Sequence, residues 1–376
     1  MSMNYAAGFD ADQADTEDHT GPDRLGIHIL WEALLALAFA GALFLLYRGE
    51  SVLATSEGRD SAITALVPLL LLGTAMAASF RVGAVNLAAG GIAVLAAATF
   101  SANTDRGLAV ALLAAVGLAL ACGLVLAILV VVLQAPGWLA SAGVAAVAWL
   151  WAFEHVNLAQ LSPDPFASLP VSTAWIWLIA VAALSIFGGV VGALNGWRNR
   201  FGACRDTPVN AHDVKTKSVT AAALTGSAVL SGMAGVWVVW TASDGAAVMT
   251  GLDPLLVGVF PIAAVLLGGT SVLGRRGGIL GTVLASLLLM TLLLLHQTRE
   301  WDFDPLWTLL AAVGVGIVVT RLVEAFGTPA EPSVKSSNSD MTTFDMGAGM
   351  VPTQPTVGYD AADIDPYRRP DFDGHH

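Results

Sequence analysis

The chain is 376 residues long, 56 % hydrophobic and only 12 % charged, with a mean hydropathy of +0.70. Soluble domains carry about 25 % charged residues, and a single core cannot hide this much apolar surface. A water-soluble enzyme, a secreted disulfide scaffold and a disordered protein are therefore excluded, and the net charge of −12 argues against nucleic acid as a partner. What remains is an all-α integral membrane protein in contact with membrane lipid.

Residues 1–23 carry Asp10, Asp12, Asp15, Glu17, Asp18 and Asp23 and no Lys or Arg. A secretory signal needs a basic start, so this stretch reads as a disordered acidic tail. A spanning helix needs about 20 apolar residues to cross about 30 Å of hydrocarbon. Residues 24–325 offer about ten such stretches: Leu25–Tyr47, Ser61–Phe80, Gly83–Phe100, Gly107–Leu133, Pro136–Phe153, Val171–Asn195, Ser218–Thr241, Leu255–Leu273, Gly278–His296 and Pro305–Val323. The third and fifth are short and rich in Gly or Pro, which predicts broken or re-entrant backbone, tolerated in a membrane only where protein covers it. Residues 326–376 are rich in Pro, Ser, Thr, Asp and Gly and predict a second disordered tail.

With the N-terminus inside, one side of these spans collects Arg24, Arg81, Arg198, Arg200, Arg205, Lys215, Lys217, Arg275, Arg276 and Arg321. The other side has only Arg48, Arg59, Arg106 and Arg299, among many acids. The bias predicts both termini in the cytoplasm of a cell-membrane protein.

Conventional catalytic and ligand motifs are missing. No Gly-x-x-x-x-Gly-Lys-Ser/Thr loop, His-Glu-x-x-His or paired Cys-x-x-Cys occurs. Cys122 lies in an apolar run and Cys204 in a polar loop, a placement that argues against a bridge. The terminal Gly374-His375-His376 reads as a loose tail rather than a metal site. Glu32 is the clearest acid inside a span, one turn after His28. It reads first as a flanking acid satisfied by His28 or headgroup water, and alternatively as the site of an ion-coupled carrier.

Three constellations stand out. The polar loop Trp197–Lys217, WRNRFGACRDTPVNAHDVKTK, has room for a short surface helix begun by Asp206, Thr207 or Asn210. Sequence statistics alone favour an ordinary positive-inside loop. The run Leu267–Thr282 spaces Gly274/Gly278 and Gly277/Gly281 for close helix packing and breaks the helix at adjacent glycines. Around Arg81–Gly91, Asn86 sits among small residues, placed to bond a solute hydroxyl or to tie two helices together.

On these residues the chain resembles the membrane permease subunits of ATP-binding-cassette importers in the ribose/galactose, branched-chain amino acid and nucleoside group. Leu266–Thr282, LLGGTSVLGRRGGILGT, is similar to the family's V-L-G-G-T-S-L-F-G-G-R-G-S-V-L-G-T, departing at Arg275 and Gly278. Val85–Leu95, VNLAAGGIAVL, is similar to I-D-L-S-V-G-S-V-M-A-L, with Asn86 in place of Asp. Leu230–Val236 and Asp304–Trp307 resemble two further family segments, in the family's order.

The resemblance implies a dimer of permeases, identical or related, and an outer solute-binding protein. It also implies cytoplasmic ATPases docked on the loop after the sixth span, with ATP and magnesium on those partners and no cofactor or catalysis on this chain. It turns the Trp197–Lys217 loop into the coupling element, with Arg200, Arg205, Asn210, Asp213 and Lys215 as contacts, and puts Asn86, Thr270 and Ser271 along the path. A sugar or polyol is the implied solute. The loop lacks the family's Ala-Ala and following Gly, so a degenerate structural subunit of a heteromeric complex stays open beside the ion-coupled carrier.

Overall fold

In the computed structural model the described residues are 25–48, 53, 55–155, 171–206, 212–241, 254–270 and 280–327. Among them every longer element is helical: α1 (Leu25–Arg48), α2 (Ser56–Arg81), α3 (Ala89–Ser101), α4 (Leu108–Ala127), α5 (Gly137–His155), α6 (Val171–Ala193), α7 (Asn195–Asp206), α8 (Val214–Thr241), α9 (Pro254–Leu267), α10 (Gly281–Thr298) and α11 (Pro305–Gly327). Eight of these, all but α3, α7 and α9, are long and apolar enough to cross a membrane. The chain is an all-α, multi-pass membrane protein. The N-terminal tail and residues 328–376 fall outside the described residues, and residues 326–327, expected in the second tail, are the last of α11.

The third expected span is broken: seven residues after α2, 82–88, are not helical, and α3 begins only at Ala89. The fifth differs from expectation and is continuous. Pro136 stands immediately before α5, where its carbonyl accepts from Leu139 and Ala140 (both 3.0 Å) and its missing N–H costs no intrahelical bond. The irregularity lies just ahead, where α4 widens into a π turn over Ile128–Val132 and Gln134 takes φ 56°.

Burial separates a core from a rim. In α2, 83 % of the apolar stretch is buried, against 17 % in α1 and in α6. The rim helices show Leu37, Leu113, Ile176 and Trp307 to the outside, where lipid tails solvate them. At the centre α8 packs on α2, α3 and α4. Its Gly235 touches the Ala93 backbone of α3 so closely that no side chain would fit between them.

A helix-interior proline shows how a freed backbone carbonyl stays satisfied without water. Pro68 in α2 has no N–H for the carbonyl of Thr64, and Trp237 of α8 donates its Nε1–H to that oxygen at 2.9 Å. Pro261 likewise frees the Val257 carbonyl in α9, and α3 brings Gly90 against that oxygen.

Candidate functional site

Two helix ends carry the sequence motifs, and both end alike. After α2, Gly83 (φ 71°) donates to Phe80 and Ala84 to Ser79, at 3.0 and 3.2 Å. After α9, Gly269 (φ 77°) donates to Leu266 and Thr270 to Val265, at 3.0 and 3.1 Å. Each is a left-handed glycine closing a helix with paired reverse bonds, a conformation that disfavours a Cβ.

Beyond the first turn, Asn86 is completely buried. Its Nδ2 donates to Ser227 Oγ of α8 at 3.0 Å, and its Oδ1 accepts from Ala88 N at 3.1 Å. Its own N–H donates to Ser79 Oγ at 3.1 Å. Of the two roles the sequence leaves open, the structure displays the tie: one residue joins the end of α2 through its backbone N–H, and the start of α3 and the middle of α8 through its side chain.

The second break is held from a distance. Trp31 of α1 donates its Nε1–H to the Leu267 carbonyl at 2.8 Å, and Gly269 packs against the same indole. Glu32 Oε1 accepts from Leu280 N and Gly281 N at 2.9 and 3.1 Å, capping the start of α10. A carboxylate there satisfies orphan donors and faces the positive end of the helix dipole. Glu32 Oε1 is therefore engaged by backbone donors that the sequence reading does not name; the His28 side chain lies outside the described residues. Gly268 and Gly281 meet backbone to backbone, which gives Gly281 its packing partner. Thr270 is fully buried, and its hydroxyl has no hydrogen-bond partner among the described residues. Ser271 lies outside them.

The loop after α6 contains a helix, but earlier than expected. α7 ends at Asp206 instead of starting there. Its apolar residues Trp197, Phe201 and Cys204 recur at i, i+4 and i+7, the spacing of one helical face, and Pro208 stands close enough behind to forbid extension. Phe201 packs against the same buried cluster as Val219 and Ala223 of α8, and buried Cys204 points its thiol at the Thr216 carbonyl, 3.9 Å away. Arg200 is exposed, its guanidinium 5.0 Å from the Trp197 ring centre. Thr207 and Asn210, the other expected caps of a loop helix, lie outside the described residues; the next helix, α8, is opened by Asp213, whose Oδ1 accepts from Thr216 N at 2.8 Å. Bonds from the Thr216 hydroxyl and amide, then the nearby charges of Lys215 and His212, hold the Asp213 carboxyl below its ordinary pKa. Asp213 and Lys215 are exposed beside Arg200's helix; the Arg205 side chain and Asn210 lie outside the described residues.

Two cavities border α2, one along its last two turns and one at its midpoint. One, of about 550 Å³, sits between α2, α6, α7 and α8, with Thr74, Arg81, Ser185 and Trp197 on its wall. Arg81 crosses it to donate to the Gly188 carbonyl. The other, of about 350 Å³, sits between α2, α9, α10 and α11. Its wall includes Phe260, His296 and Glu300, and neither cavity reaches Asn86 or Thr270. Above the second, the His296, Trp301 and Phe303 rings cluster, with Trp301 stacked on Phe303 at 5.4 Å. Sequence reading missed this cluster, although its aromatic and acidic run Glu300-Trp301-Asp302-Phe303-Asp304 was visible. Glu300 closes α10 at φ 46°, a left-handed conformation that costs a non-glycine residue about 1–2 kcal/mol.

Comparisons with family models, with curated proteins and with solved structures found no match to this chain.

Proposed function

We propose that the chain is the permease subunit of an ATP-binding-cassette importer in a cell membrane. In this reading, two such subunits, identical or related, enclose a path for a small polar solute. Separate cytoplasmic ATPases hydrolyse ATP with magnesium, and an outer solute-binding protein delivers the solute. Both termini and α7 face the cytoplasm, as the bias of Lys and Arg directs.

The supporting observation is α7 with the cap of α8: a short polar helix set between two spanning helices, anchored by Phe201 and Cys204, with Arg200, Asp213 and Lys215 exposed. An anchored face of mixed charge is what a docking protein can push without deforming the bundle. ATPase closure would favour one of two arrangements of the helices, and differential binding of the solute to those arrangements converts that bias into alternating access. The sugar or polyol expectation rests on Val85–Leu95. The only polar side chain there, Asn86, is engaged internally, so the proposal stays with a small polar solute.

The test is purification of the tagged chain in mild detergent, with its partners identified and ATP hydrolysis assayed. The expected result is a stoichiometric ATPase that is lost in the Arg200→Glu, Lys215→Glu double variant. A monodisperse, helical preparation that retains no ATPase and no second permease would overturn the reading.

A further inference from the structure

The 350 Å³ cavity falls within the size range of small-molecule sites, about 300–1,000 Å³. Its wall is mostly hydrocarbon, including Phe260 and Leu309, and its polar side chains are His296, Gln297 and Glu300. A sugar would bring four or five hydroxyls to these groups and leave several buried without partners, which disfavours it. An ion with one charged end and an apolar body meets no such penalty.

Two features at the cavity edge point to the charged end. Trp301 offers an indole, the aromatic surface that attracts cations most strongly. Glu300 offers a carboxylate from a left-handed backbone position where glycine would sit without strain, and such outliers gather at ligand clamps and switch regions.

We propose that this cavity binds a small organic ammonium ion, its N–H groups directed to Glu300, its positive charge against Trp301 and its apolar body against the half-buried Leu256 and Leu293. The site does not depend on the importer reading, and its failure would leave the co-purification result untouched.

Isothermal titration of the full chain in detergent tests it with three probes: cyclohexylammonium, cyclohexanol (the same ring without the charge) and D-ribose. Saturable binding of cyclohexylammonium at least tenfold tighter than cyclohexanol is expected, with no binding of ribose. Glu300→Gln should shrink that preference to within twofold. Glu300→Gly should do the same while raising the melting temperature, because it relieves the left-handed strain; a merely structural Glu300 would show only the second effect. Leu34→Ala, on the exposed face of α1, should leave the preference unchanged. The proposal is overturned by absent saturable binding in a helical, monodisperse preparation, by equal affinity for the two ring probes, by tighter binding of ribose, or by a preference that survives Glu300→Gln.

Discussion

After α2 and after α9 the backbone makes the same turn, a left-handed glycine with paired reverse bonds, yet the two breaks are secured by different parts of the molecule. Past α2, the polar groups are answered by neighbours in the core: Asn86 bonds Ala88 beside it and Ser227 of the central helix α8. Past α9, they are answered from the rim: Trp31 and Glu32, on the least buried kind of helix in the molecule, hold the end of α9 and the start of α10. One interruption is locked into the core; the other depends on a clamp that lipid surrounds. A clamp of that kind can be released without taking the core apart.

The comparison can be broken most forcefully at Asn86. Asn86→Ala leaves the Ala88 N–H buried without its acceptor and Ser227 without its partner, for a loss of about 3 kcal/mol in detergent unfolding. A change below about 1 kcal/mol would show that water replaces the side chain and that the first break is not locked. Glu32→Ala should cost about 1–2 kcal/mol, the value of a helix cap with its dipole contribution. Glu32→Gln, which retains an acceptor oxygen, should cost less than half of that. Equal losses would assign the effect to charge rather than capping.

Asp213 supplies a local cap for contrast with the remote one. Its pKa is lowered in the folded chain, so its contribution is complete above the ordinary carboxylate range and fades as pH falls through the lowered value. Thermal unfolding between about pH 6 and about pH 2.5 should lose part of its acid dependence in Asp213→Asn. The smallest expected effect is at Thr270, whose buried hydroxyl has no partner among the described residues. Thr270→Val keeps the shape and removes the unpaired group, so stability should hold or rise slightly, whereas Ser227→Ala, the matching change at the first break, should lower it.

Spans with long apolar runs were legible because the bilayer imposes a length, and the third span's break was legible from its shortness and glycines. Pro136 misled because proline at a helix entrance and proline within a helix look alike until the start of α5 is known. α7 was placed too late because Asp206, Thr207 and Asn210 all read as caps; only the Trp197, Phe201 and Cys204 spacing distinguished the helix before them. Glu32 as the cap of α10 was beyond reach, since its donors lie 248 and 249 residues away and no local pattern announces such a contact. Asn86 was legible as significant, but its partner was not, because Ser227 reaches it through the packing of α8.

The remote clamp is tested most directly by hydrogen exchange at the amides of Leu280 and Gly281, read beside those of Ala88 and Ala89, in the native chain and in Glu32→Ala. Faster exchange at Leu280 and Gly281 in the variant, with Ala88 and Ala89 unchanged, is the predicted result. Unchanged exchange at Leu280 and Gly281, or an equal rise at both breaks, would contradict a clamp held from α1.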